Sequence, residues 1–190
     1  MTKTIIYLIG EGGSGKTSAA THLQQKYGFT SYAFGMIIRD YAQANGITLR
    51  KRADYAKTHA EILEKYGWDY VPRMALSSSA ELICIDDVRA RKYAELIERA
   101  GGVSIAFDCP VEVRFAHTLN HPDTAKYPAT LHAFVQNEKE DRVENAVAGL
   151  KFETRALMKS ARYRIDATGS LEDTFDQLDR IVVPLLARES

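Results

Sequence analysis

Residues 5–17 read Ile5-Ile6-Tyr7-Leu8-Ile9-Gly10-Glu11-Gly12-Gly13-Ser14-Gly15-Lys16-Thr17 (IIYLIGEGGSGKT), an apolar run that passes directly into four glycines, a lysine and a threonine. The apolar part predicts a buried strand. The glycines let successive backbone N–H groups turn inward, where a Cβ would obstruct, and so form a concavity for an anion. Gly10, Gly15, Lys16 and Thr17 fit the spacing GxxxxGK[ST]. In that pattern the lysine reaches the β- and γ-phosphates of a nucleotide and the Thr17 hydroxyl is placed to hold Mg²⁺. The helix expected from Lys16 onward adds its positive N-terminal end. Gly12, Gly13, Ser14 and Ser18 complete the candidate ATP contacts of this loop.

Outward from this point, strand-like runs fall at about 4–9, 30–34, 81–85, 103–107 and 162–166, with helix-like patterns between them. Residues 16–27 stop at Gly28, and residues 89–100 carry Tyr93, Leu96, Ile97 and Ala100 on one face before Gly101-Gly102. The last helix has Leu171, Phe175, Leu178, Val182 and Leu185 at steps of four and three, Ser170 and Asp173 at capping-box spacing, and Pro184 placed to end or kink it. Alternating strands and helices predict an α/β fold, a five-stranded parallel sheet with about eight helices on its two faces. The 190 residues are 45% hydrophobic, enough for a full core in a single domain spanning 1–190. The irregular stretch 118–130, with two prolines, reads as a mobile loop between helices.

Lys plus Arg and Asp plus Glu each number 25, so any positive field is local and a broad nucleic-acid surface is not expected. No apolar run approaches a membrane span, and the chain enters its first strand without a charged-then-apolar leader. Cys84 and Cys109 lie in apolar runs with no CxxC spacing, which predicts buried reduced thiols and suits a cytoplasmic protein.

A phosphate loop needs a carboxylate for its metal. ELICIDD supplies one at the end of a strand, Asp86, with Asp87 read as a solvated turn. A strand's C-terminal end in a parallel sheet faces the ligand crevice, so Asp86 either holds Mg²⁺ with Thr17 or contacts an acceptor. No NKxD sequence for guanine is present, and the chain is short for a motor or ring ATPase, which leaves a small kinase.

Further stretches carry a family resemblance. FGMIIRDYAQANG resembles a Gly-Asp-x-x-Arg stretch, ICIDDVR a Val-Asp-Gly-Ile-Arg stretch, VRFAHTLNH an Arg-Phe-x-Arg-x-x-x-Arg lid, and ARYRIDATGSLEDTF a last strand with its adenine-side loop. Together they resemble the P-loop nucleoside monophosphate kinase superfamily, in its dephospho-CoA-kinase-like branch and an archaeal-type group within it. The resemblance implies a three-layer P-loop NTPase fold with a short lid at about 114–130 and acceptor-binding helices at about 35–80. It implies ATP and Mg²⁺ as cofactors, and Lys16, Asp86 and Arg114 as catalytic residues. Arg39, Asp86 and Arg89 would bind a small nucleotide-like acceptor, with Arg50 and Arg52 either near it or in a solvated basic turn. Gly169, beside Thr168, would lie against the adenine.

Two departures bear on the acceptor. Met36 replaces the aspartate that follows Gly35 in the resembling family, so a base is missing that a hydroxyl acceptor would use. This favours a monophosphate acceptor, with transfer to a hydroxyl such as that of dephospho-CoA, or a non-catalytic ATP-binding module, as alternatives. In the lid, Arg114 is kept, but His117 and His121 stand where the family has arginines. Lys126 and Arg142 are candidate replacements.

Overall fold

The structure, a computed structural model, describes residues 3–50, 52–119, 127–143, 146–147 and 150–187, without the side chains of 52–53, 140–143 and 146–147. In chain order the described elements are β1 (Thr4–Gly10), α1 (Lys16–Tyr27), β2 (Thr30–Ala33), α2 (Phe34–Ala44), α3 (Arg52–Tyr66), α4 (Tyr70–Leu76), β3 (Leu82–Asp86), α5 (Arg91–Arg99), β4 (Val103–Asp108), α6 (Val111–Leu119), α7 (Leu131–Val143), β5 (Ala146–Val147), β6 (Leu150–Lys151), α8 (Thr154–Ser160), β7 (Tyr163–Asp166) and α9 (Leu171–Leu186).

Five strands form one parallel sheet in the order β2-β3-β1-β4-β7, as expected. Every residue of β1 is buried, so this central strand is covered on both faces. Its alternation divides the core. Ile5, Tyr7 and Ile9 pack with Phe34 and Ile38 of α2, Ile62 of α3, Tyr93 and Ile97 of α5 and Leu157 of α8. Ile6 and Leu8 pack on the other face with Leu23 of α1 and Leu178 and Val182 of α9. Fully covering large aliphatic side chains contributes ~1.5–3 kcal/mol each. The cover also fixes where β1, β3 and β4 end, and the site lies at those ends. Cys84 and Cys109 are free and buried.

Several local expectations shift. The helix after β3 starts at Arg91, because Arg89 and Ala90 belong to a loop held by a Glu153 N–H donating to Arg89 O (2.8 Å) and an Ala90–Phe152 bridge. Ala94, not Ala100, completes the buried face of α5. Leu171 is 52% exposed, and Thr174 stands in its place in the buried stripe of α9. The capping box at Ser170 and Asp173 forms. Pro184 does not stop α9, which runs to Leu186. Pro184 lies in the last turn on an exposed side, where the carbonyl it leaves without a partner can be hydrated. The β5–β6 antiparallel pair, with Ala146 opposite Lys151 and Val147 opposite Leu150, was not anticipated. Within the lid segment, residues through Leu119 are helical in α6.

His59 of α3 is buried, its Nε2 3.2 Å from the Tyr93 hydroxyl and its ring stacked on Phe152. Burial pulls its pKa down from 6.5 to about 4. Above pH 6.5 the imidazole is neutral whether the chain is folded or not. Between 6.5 and 4 the unfolded chain takes up a proton that the folded chain refuses, so stability falls as pH drops through that window, by on the order of 3 kcal/mol in total. Urea unfolding from pH 7 to 4.5 is expected to show a steeper loss for the parent than for His59→Gln, which can still reach Tyr93. Parallel curves would remove His59 as the cause.

Candidate functional site

The loop between β1 and α1 is closed by its glycines. Gly13 and Gly15 have φ of 78° and 88°, a region open to glycine at little cost. A Cβ at Gly13 would come within 2.5 Å of the Arg114 carbonyl oxygen, and one at Gly10 within 2.6 Å of Ser14 Oγ. The loop is therefore packed tightly against α6 from behind. Lys16, 7% exposed, donates through Nζ to the carbonyls of Gly10 (2.9 Å) and Glu11 (3.0 Å) and stands 3.6 Å from Asp87 Oδ1. The Thr17 hydroxyl donates to Asp86 Oδ2 at 3.1 Å.

Parallel pairing of β1 with β3 sets these groups side by side, with Tyr7 opposite Ile85 and the Val88 N–H donating to Leu8 O. Asp86 is 3% exposed. Its Oδ1 and the Ser14 hydroxyl are buried, with no hydrogen-bond partner among the described residues. Buried polar atoms of this kind ordinarily have partners. A carboxylate oxygen, a hydroxyl bonded to the same carboxylate and a glycine cradle fit a hard divalent cation with a nucleotide phosphate.

Asp87 departs from its expected role as a solvated turn. Among the described residues it is the one non-glycine position with φ in the left-handed region, at 68°. Its carboxylate pairs with Arg89 Nη2 at 2.8 Å as well as approaching Lys16. Burial raises the proton affinity of Asp86, and the neighbouring Asp87 charge adds to this against the opposing pull of Lys16. Burial also acts upward on Asp87, but Arg89 and Lys16 together outweigh it and hold its carboxyl below the usual carboxylate range.

Helix α6 supports the loop from the other side. Arg114, 4% exposed, donates through Nη1 to Gly12 O (2.9 Å) and through Nε to Cys109 O (3.3 Å). Its guanidinium meets both carboxylate oxygens of Glu138 on α7, with Nη2 to Oε2 at 3.0 Å. In this arrangement the arginine ties α6, α7 and the phosphate loop together. His117 Nδ1 lies 3.0 Å from Gly13 O, so this nitrogen donates to the loop backbone. Arg155 of α8 donates to Glu11 Oε1 at 3.0 Å, with a side chain 65% exposed. A cavity of about 360 Å³ lies alongside, its lining including Glu11, Arg114, Arg155, Lys159 and Arg164.

The other sequence candidates are spread around this centre. Ser18 is in the first turn of α1, and Gly169 follows β7, packed against Asp173. Arg39 is exposed on α2, and no hydrogen bond or ion pair among the described residues links it to the Lys16–Asp86 cluster. Arg50 is exposed, its backbone N–H bonded to Asp54, and Arg52 opens α3. Arg142 is in α7, its side chain outside the described set. His121 and Lys126 lie outside the described residues. Sequence reasoning missed Asp87, Glu138 and Arg155. For Asp87 a signal existed, a carboxylate where the resembling stretch has glycine. Glu138 and Arg155 lie far along the chain from Arg114 and Glu11, and only the packing of α7 and α8 joins them.

Comparison with known proteins bears on the fold and on the class of protein it resembles. No family model matches the chain. Over 110 residues it is 30% identical to a cytidylate kinase of Pyrococcus furiosus, a match covering 58% of this chain and 53% of that protein. The chain thus spans about half the length of the curated relatives it matches. Among solved structures, TT1252 from Thermus thermophilus superposes with a TM-score of 0.64 at 14% identity, over 97% of this chain and 99% of that one. Shikimate kinase from Bacteroides thetaiotaomicron gives 0.60 at 14% identity, over 95% and 98%. The fold is that of the P-loop kinases. These sequence relatives are cytidylate kinases, P-loop kinases of the nucleoside monophosphate kinase type, and they do not show the dephospho-CoA-kinase-like branch.

Proposed function

We propose that this protein is a P-loop small-molecule kinase that transfers a phosphoryl group from ATP, with Mg²⁺, to a nucleoside monophosphate or deoxynucleoside monophosphate. The observation that carries the reading is the convergence of Lys16, Thr17 and Asp86 on one cradle that leaves Asp86 Oδ1 and Ser14 Oγ, both buried, without a hydrogen-bond partner among the described residues. Cytidylate kinase relatives support a monophosphate acceptor. In this reading Thr17 and Asp86 hold Mg²⁺, which when bound neutralises phosphate charge. Gly12, Gly13 and Gly15 present backbone N–H groups to the phosphates, Lys16 follows the charge that develops there, and Gly169 flanks the adenine. Catalysis is positioning and electrostatics. Arg39 and Arg89 face the acceptor. Arg155, beside Glu11, is a further cation in the region where His117 replaces a lid arginine.

A hydroxyl acceptor is the second reading, favoured by one observation: the raised proton affinity of Asp86 suits a base. A coupled assay with CMP, other nucleoside monophosphates, dephospho-CoA and shikimate separates the two. Transfer to a monophosphate well above ATP hydrolysis is expected, and Arg39→Ala is expected to weaken acceptor use roughly ten- to a hundredfold, the worth of one charged hydrogen bond, with ATP affinity little changed. Hydrolysis alone across the panel would sink the kinase reading. Transfer only to dephospho-CoA or shikimate would move it to the hydroxyl class.

A further inference from the structure

Asp87 is placed where a bound phosphate would compete with it. Its carboxylate contacts the phosphate-loop lysine and the arginine of the β3–α5 loop together, Lys16 at 3.6 Å and Arg89 at 2.8 Å. It does so from a left-handed backbone with φ 68°, which a residue bearing a Cβ adopts against steric resistance and glycine adopts freely. The neighbouring Asp86 is 3% exposed, with Oδ1 lacking a hydrogen-bond partner among the described residues. Two carboxylates therefore face two cations, Lys16 and Arg89, and the cluster is balanced. A nucleotide phosphate that draws Lys16 away leaves both carboxylates facing Arg89 alone. A divalent cation arriving at Asp86 and Thr17 with the nucleotide restores the balance.

We propose that Asp87 is a positioning residue that holds Lys16 and Arg89 on one carboxylate and thereby makes nucleotide capture depend on an accompanying divalent cation. The inference rests on the nucleotide-binding half of the proposed function and is independent of which acceptor is used. Asp87 acts as an internal stand-in for phosphate: it keeps the two cations in place and penalises metal-free nucleotide, which must displace it without compensation. The chain thus selects the metal–nucleotide complex over the free nucleotide.

The test is calorimetric titration of ADP into the full chain, in EDTA and again in Mg²⁺, for the parent, Asp87→Asn, Asp87→Gly and Lys16→Ala. Glycine suits the φ at this position and asparagine tolerates it, so both Asp87 variants are expected to fold, with circular dichroism as the check. In EDTA both are expected to bind ADP about tenfold more tightly than the parent, the scale of one charged contact. Their affinity in Mg²⁺ should move far less, so the gain that Mg²⁺ gives shrinks about tenfold. A merely structural role predicts the opposite sign, weaker binding in both conditions. A parent that binds ADP while both folded variants are no tighter in EDTA overturns this inference alone. A parent that binds no ADP in either condition overturns the nucleotide-binding reading and this inference with it.

Discussion

Lys16→Ala is expected to abolish phosphoryl transfer, by at least about 10³-fold, while the chain stays folded. The ammonium is 7% exposed and is held by two carbonyls of its own loop and by Asp87. The residues of α1 in the buried apolar core are Ala19, Ala20 and Leu23, with Tyr27 packed against them. In the proposed function its charge serves a bound phosphate. Removing it leaves Asp87 paired with Arg89, so the loop keeps an ionic anchor. A coupled assay together with a circular dichroism melt checks both halves of the statement. Activity within tenfold of the parent, in a folded variant, would sink the phosphate-loop reading.

Arg114→Met is expected to cost about 3–5 kcal/mol of folding free energy, because it removes the guanidinium that meets a largely buried carboxylate at both oxygens. Glu138 would lose its bidentate partner, and the carbonyls of Gly12 and Cys109 would lose donors. Arg114→Lys should restore little, since a lysine cannot present the fork that meets both carboxylate oxygens. Arg114→Met/Glu138→Leu should recover part of the loss, because an apolar pair removes the carboxylate that has lost its guanidinium. Urea unfolding gives the four values. A single-variant loss below about 1 kcal/mol would show that the pair is not what ties α6 to the phosphate loop. It would return Arg114 to the catalytic role implied by the lid resemblance.

The sheet was legible because its signals are local. Continuous apolar runs at β1, β3 and β4 and the glycines at 10, 15, 28 and 101 mark strand, loop and helix ends without reference to distant residues. The cradle was legible for the same reason, since Gly10 through Thr17 form it within a single turn of chain. What sequence could not give was the set of side-chain partners. Arg114 looks the same in sequence whether it faces a phosphate or Glu138, and the choice depends on how α7 returns to α6. Asp87 looks like a turn residue until β1 and β3 align and bring Lys16 beside it. Leu171 fits the apolar stripe by period, but its place at the first position of α9 leaves it exposed.

The strand order has a consequence for how the chain acquires its shape. β1 precedes both of its sheet neighbours in the chain: β3, with Thr4 opposite Leu82, and β4, with Ile6 opposite Val103. Neither edge of β1 can be satisfied by the residues that follow it directly, and such long-range parallel pairings form slowly because the intervening chain must first be closed into a loop. A nascent chain ending before β4 therefore carries a glycine loop that lacks its β4 and α6 neighbours, and an apolar β1 with one edge unpaired and exposed to association with other chains. The glycine loop thus precedes in the chain the strands β3 and β4 and the helix α6 that pack around it.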